Sequence, residues 1–320
     1  MQIRRVALLA VAPLALAACG AATTPAALDD APPTTASAAA QPSRVVVTTT
    51  VLGAVVRELV RGAAEVVTVI PDGADPHAYE PSARDIEAVT AADVVVANGL
   101  GLEEGLEDVL ARVEGSGVPV VHVADHVTVR EPVSRDGHDD EAHGHDDEAH
   151  GHDAGDPHLW LSPATIAEAV PAMADVIGAA IGVDLSAAGD DLVASLGALD
   201  ERVADVMAAL PACELVTGHD ELGYFADRYG CEVIGAVIPG LSTTAEATAR
   251  DVAALREVAE ARGVRAIFTA SGTPSAVAAR VAADVGVPLV ELRTHELGPA
   301  ATYGDFVLEL ARTVVDALAG

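Results

Sequence analysis

The chain contains no lysine. All 18 of its basic residues are arginine, set against 49 acidic residues in 320, and the formal net charge is −31. Without lysine there is no phosphate-binding P-loop, so Asn98-Gly99-Leu100-Gly101 is not a nucleotide cradle. A field of this sign repels nucleic acid and anionic lipid and favours cations, which excludes nucleic acid as a partner. Long apolar runs are missing beyond the N-terminus; stretches such as Val94–Ala97 are strand-sized and too short to cross a bilayer. Cysteine is scarce, with three in all. Cys213 and Cys231 each stand at the start of an expected strand, so a disulfide between them is favoured over two small buried thiols.

Residues 1–18 carry Arg4 and Arg5 ahead of a short apolar stretch ending at Ala18, the pattern of an export signal. Leu16-Ala17-Ala18-Cys19 resembles the lipobox of bacterial lipoproteins, which implies cleavage before Cys19 and a lipid on its thiol. Residues 19–43 are mostly Ala, Thr and Pro, cannot bury a core and read as a flexible tether. The folded part is therefore expected from residue 44, outside the cytoplasm and anchored to the membrane by lipid.

From there, short β-branched stretches alternate with helical patterns, which indicates an α/β fold with parallel sheets. Strands are expected at 44–50, 65–70, 94–97 and 118–121, with helices at 52–61, 82–90 and 102–113 between them. Ser162-Pro163 makes a helix start, and a second alternating series begins at Leu215 and closes in a helix from Tyr303. The expected layout is an N-terminal lobe over 44–161, a connecting helix over 162–185 and a C-terminal lobe over 186–320. Ligands of such sheets sit beyond the carboxyl ends of the strands, here in a cleft between lobes.

Six of the eleven histidines crowd between positions 138 and 158. Most lie in an acidic repeat, His138-Asp139-Asp140-Glu141-Ala142-His143-Gly144 followed by His145-Asp146-Asp147-Glu148-Ala149-His150-Gly151, with His152 next. Imidazole and carboxylate at this density point to divalent transition metals. The repeat, within a segment over 137–153, has no fixed geometry and reads as a solvated insertion that traps ions weakly.

Four other histidines share one topological position, the turn after a strand. His77 follows Asp75-Pro76, His158 follows Asp156-Pro157, His219 follows the strand at 215–217, and His295 follows the strand at 289–292. One such histidine would be a surface or capping residue; four at equivalent places match the four nitrogen ligands that zinc accepts. The second ring nitrogens need partners, which Asp75, Asp156 or Asp220 can supply, although turn and cap preferences explain these aspartates equally well. Trp160 and Tyr79 read as walls of the site.

Five segments together resemble the zinc- or manganese-type solute-binding proteins of ABC transporters. They are Asp75-Pro76-His77-Ala78-Tyr79-Glu80-Pro81, Asn98-Gly99-Leu100-Gly101-Leu102-Glu103, Asp156-Pro157-His158-Leu159-Trp160-Leu161, Thr217-Gly218-His219-Asp220-Glu221-Leu222-Gly223-Tyr224-Phe225 and Ala266-Ile267-Phe268-Thr269. The resemblance implies two α/β lobes joined by a long rigid helix, with the metal held in the cleft by His77, His158 and His219. Zinc-type members resemble this chain in having histidine at the third position, where manganese-type members place a carboxylate. They also resemble it in the His- and acid-rich segment before the second ligand. The fourth position departs from the usual Asp or Glu; His295 aligns there, with Glu296 or water as the alternative.

The expected function is capture of Zn(II) by a monomeric receptor and delivery to an ABC permease with its ATPase. Proton competition at ordinary imidazoles would weaken binding below a pH of about 6.5. Competing readings are a manganese receptor of the same family, a zinc hydrolase with three histidines and an open water position, and an extracellular zinc buffer.

Overall fold

The computed structural model describes residues 42–131, 155–273, 275–300 and 302–319. The export signal, Cys19, the tether up to residue 41 and the repeat with His138, His143, His145, His150 and His152 lie outside the described residues.

Valine-rich tetrapeptides build the first sheet. Strands β1 (Arg44–Val47), β2 (Glu65–Thr68), β3 (Val94–Ala97) and β4 (Val120–His122) run parallel in the order β2-β1-β3-β4, with Val45 opposite both Val66 and Val94. All four residues of β3 are buried, as expected where both faces of a parallel sheet are covered. The connecting helices are α1 (Thr50–Val60), α2 (Ala83–Thr90) and α3 (Glu107–Gly115). A capping box sets the start of α2: Asp85 N donates to Ser82 Oγ while the Asp85 carboxylate takes the Ser82 N–H.

Helices α4 (Pro163–Ile181) and α5 (Ser186–Met207) then pack against each other. At 19 residues with mean hydropathy 1.5, α4 is long and apolar enough to cross a membrane, contrary to the expectation that no such run follows the N-terminus. It serves as a core helix: Ile166, Ala169, Val170, Met173 and Ile177 are buried, and Pro171 sits inside it without ending it. The span 162–185, expected as a connector, contains α4 and its C-terminal turn. Helix α5 packs on α1 in the first half and on α9 (Tyr303–Ala319) in the second.

The second half contains β5 (Glu214–His219), β6 (Glu232–Ile238), β7 (Ile267–Ala270) and β8 (Leu289–Leu292), with helices α6 (Gly223–Tyr229), α7 (Ala249–Arg262) and α8 (Ala276–Val285). Among the described residues its ladders are two parallel pairs, β5 with β6 and β7 with β8, while β5 and β7 lie side by side. Thr248 and Asp251 form the capping box that starts α7.

One apolar core runs through both halves, from Val45 and Leu59 through Leu161, Met173 and Leu199 to Phe225, Phe268 and Tyr303. Smaller clusters cover the outer faces, around Val95 and Leu110 in one half and Val216 and Leu255 in the other. The Tyr303 hydroxyl donates to the Trp160 carbonyl at 2.8 Å, a buried polar link within the shared core.

Cys213 and Cys231 are joined by a disulfide just before β5 and β6, 18 residues apart in sequence. Closing a loop of that length restricts the unfolded chain and stabilises the fold by about 3 kcal/mol. Urea unfolding with and without reductant is expected to show a lower midpoint after reduction, with an unchanged midpoint as the contrary result.

Candidate metal centre

Three of the four sequence-identified histidines meet at one point. His77 lies in the loop after β2, where its backbone N–H donates to Asp75 Oδ1 at 3.1 Å and Pro76 restricts the approach. His158 precedes a single 3₁₀ turn, Leu159–Leu161, and His219 is the last residue of β5. The three side chains are buried, and the Nε2 atoms of His77 and His219 each stand 3.2 Å from His158 Nε2. Their ring centroids lie 5.0 to 5.6 Å apart, packed edge to face.

A tetrahedral ion with zinc–nitrogen bonds of about 2.0–2.1 Å places its ligand nitrogens about 3.3 Å apart, so the observed spacing fits a common zinc ion. The His158 tautomer fits as well. Asp156 Oδ1 lies 2.8 Å from His158 Nδ1, which puts the ring proton on Nδ1 and leaves the Nε2 lone pair facing the cluster. Of the aspartates offered as ring partners, Asp156 acts this way. Asp75 serves the backbone of its own turn and accepts from the Thr243 hydroxyl at 2.6 Å.

Sequence reasoning missed one buried carboxyl beside His219: Glu221 Oε1 lies 3.8 Å from His219 Nδ1. Glu221 is fully buried and hydrogen-bonded with Thr294, and burial pushes its carboxyl up to about 7. Its signal in the sequence was its place two residues after His219, just ahead of the helix that begins at Gly223. A buried carboxyl here can supply the negative charge that an all-imidazole shell lacks.

His295 stands outside the converged set, which among the described residues is His77, His158 and His219. It is buried beside Trp160, Pro76 and Ile70, and its Nε2 has no hydrogen-bond partner. Its loop is fixed independently: Asp72 accepts from the N–H groups of Leu297 and Gly298 at 2.8 and 2.9 Å, and Trp160 Nε1 donates to the Thr294 carbonyl at 2.5 Å. Glu296 is not in the set either; its carboxylate lies against the turn at Gly73. Trp160 does wall the site, its ring 5.4 Å from that of His158, whereas Tyr79 turns away and donates to Asp85 on α2 at 2.8 Å.

The segment Asn98-Gly99-Leu100-Gly101 also has a structural part. Residues 99, 100 and 101 have φ of +87°, +56° and +71°, a run of left-handed backbone that glycine permits at two of the three places. The Glu103 carboxylate accepts from the N–H groups of Asn98 and Gly99, and Asn98 Nδ2 donates to the Pro157 carbonyl at 2.8 Å. The loop thus holds the backbone next to His158.

Burial dominates the electrostatics. It lowers His77 to about 3, with His158 and His295 adding repulsion, and it takes His219 well below the ordinary imidazole value, with His158, His77 and His295 adding to the effect. His295 is lowered too, mainly by burial and against the pull of Asp75 and Glu296. The acid limit expected from an ordinary histidine, at a pH of about 6.5, therefore moves down. These rings stay neutral and ready for a cation in the absence of metal.

Comparison with known proteins identifies the family. The zinc-binding protein TroA of Treponema pallidum is 30% identical over 224 residues, covering 68% of this chain and 67% of TroA. The manganese-binding lipoprotein MntA of Halalkalibacterium halodurans is 26% identical over 275 residues, covering 83% and 84%. The solved structure of periplasmic TroA superposes with a TM-score of 0.71 at 28% identity over 87% of this chain and 99% of that one. The model of the family described as ZnuA, zinc-uptake complex component A, periplasmic, matches residues 45–319, and the chain belongs to that family.

Proposed function

We propose that this protein is an extracytoplasmic receptor that captures Zn(II) and delivers it to an ABC permease driven by its ATPase. Residues 1–18 would direct export, Cys19 would carry the lipid anchor, residues 19–43 would tether the folded part, and the receptor would work as a monomer. His77, His158 and His219 bind the ion, and His295 completes the shell with its unpartnered Nε2, in preference to Glu296. The histidines of the acidic repeat, His138, His143, His145, His150 and His152, concentrate zinc near the cleft without forming the tight site.

The observation that carries this reading is the convergence of three buried imidazoles at 3.2 Å nitrogen spacing. Nitrogen at the third position favours zinc over manganese, whose preferred partners are oxygen ligands. The family is one of solute-binding receptors, which supports binding and release over hydrolysis. Titration of the purified protein with Zn(II) and Mn(II) against a competing chelator is expected to give one tight zinc site and manganese binding weaker by orders of magnitude. Equal affinities, or manganese preference, would remove the zinc assignment.

A further inference from the structure

We propose that Arg130 is a positioning residue for His158, acting through the Asp156 carboxylate; this rests on His158 being a zinc ligand. Asp156 is fully buried, and its two oxygens have separate duties. Oδ1 takes both the His158 backbone N–H, at 3.0 Å, and the ring Nδ1, at 2.8 Å. Oδ2 is met by Arg130 Nη1 at 3.3 Å. A carboxylate held by one oxygen can swing about its own χ2; held by both, it keeps Oδ1 aimed at the imidazole.

The guanidinium is itself fixed from the other half of the molecule. Its Nε donates to Asp227 Oδ2 on α6 at 2.8 Å, which uses the planar fork that lysine could not reproduce. The backbone completes the frame. Arg130 N donates to the Tyr224 hydroxyl at 2.9 Å, that hydroxyl donates to the Asp156 carbonyl at 3.0 Å, and Asp156 N donates to the Arg130 carbonyl at 2.8 Å. Helix α6 approaches closely because residue 223 is glycine: a methyl there would overlap both the Arg130 guanidinium and the Asp156 carboxylate. Arg130 lies 28 residues before His158 in sequence; it also feels the charge of Asp220, the neighbour of His219, and its route to the His158 ring is the Asp156 carboxylate.

The test uses the full chain with Arg130→Ala, Arg130→Gln and Gly223→Ala, the last disturbing the same contact from α6. Two readouts are needed: zinc affinity by chelator competition at neutral pH, and the His158 tautomer in the metal-free protein by imidazole ¹⁵N NMR. Loss of such an orienting partner costs metal sites about 10- to 100-fold, and the lower end is expected here because Asp156 itself remains. Each variant that folds is expected to bind zinc about tenfold more weakly and to show His158 populating the tautomer with the proton on Nε2. Affinities within twofold of wild type overturn the proposal. So does weaker binding with an unchanged His158 tautomer, which would place the effect in the fold at large. Because the tautomer is read without metal, failure of the wild-type protein to bind zinc would count against the receptor reading and leave the Arg130 result separately legible.

Discussion

Replacing His158 with alanine is expected to weaken zinc binding by a hundredfold or more while the metal-free fold persists. His158 is the hub of the cluster, the one ring whose Nε2 lies 3.2 Å from both others. Zinc sites of four protein ligands bind with roughly 12 kcal/mol, so each ligand carries about 3 kcal/mol, and losing one costs about two orders of magnitude. The fold tolerates the change because Asp156 remains paired with Arg130 and the preceding carbonyl, Pro157 O, remains bonded to Asn98. His219→Ala should behave similarly, with an added cost from leaving Glu221 buried beside an empty space. His295→Ala should cost less, since its ring stands outside the converged set. Chelator-competition titrations of the three variants, with circular dichroism to establish folding, test this order. A His158→Ala protein that bound zinc like wild type would refute the ligand set.

The second large effect concerns protons in the absence of metal. In the unfolded chain a histidine titrates near 6.5, whereas in the folded protein burial lowers His77 to about 3. Between those values the unfolded state binds the extra proton, so this ring makes the fold less stable as pH falls, and the penalty is absent above 6.5. Removing the ring with His77→Asn therefore makes the metal-free protein relatively more stable at acid pH, on the order of 1 kcal/mol for each pH unit below 6.5. Comparison of variant with wild type isolates this contribution from the raised carboxyls of Glu221 and Glu103, which act in the opposite sense above their ordinary range. Urea unfolding of both metal-free proteins at pH 6.5 and pH 4.5 is the measurement. A stability difference that did not change with pH would mean that His77 is not held neutral by burial. With zinc present, the same low proton affinity should keep the site loaded at pH values where ordinary histidine ligands have begun to protonate.

Much of this was legible in the residues. Runs such as RVVV and VVVA are too short and too apolar for anything but buried parallel strands, and they fold as read. The Asp-Pro-His turn after β2 and the His219 that ends β5 mark the carboxyl ends of strands in two different sheets, where ligands of parallel sheets sit. What sequence could not supply is distance between remote segments. Arg130 reaches Tyr224 across 94 positions, and Trp160 reaches Thr294 across 134, so neither contact leaves a local signature. Glu221 was hidden for a different reason: an acidic residue after a strand is an ordinary helix opener, and only burial reveals it as a partner of the site. His295 shares the topology of the other three, yet the Asp72 staple and the Trp160 bond fix its loop on their own terms. Tyr79 followed its neighbour in sequence, the capping Asp85, rather than its neighbour in motif.

The measurement that bears most directly on where zinc is held is a chelator-competition titration of the protein lacking residues 137–153 beside full-length His219→Ala. If the scattered histidines form the tight site, the deletion keeps wild-type affinity and loses only weak additional ions, while His219→Ala loses the tight site. Tight binding that vanished with the histidine repeat and survived His219→Ala would contradict it.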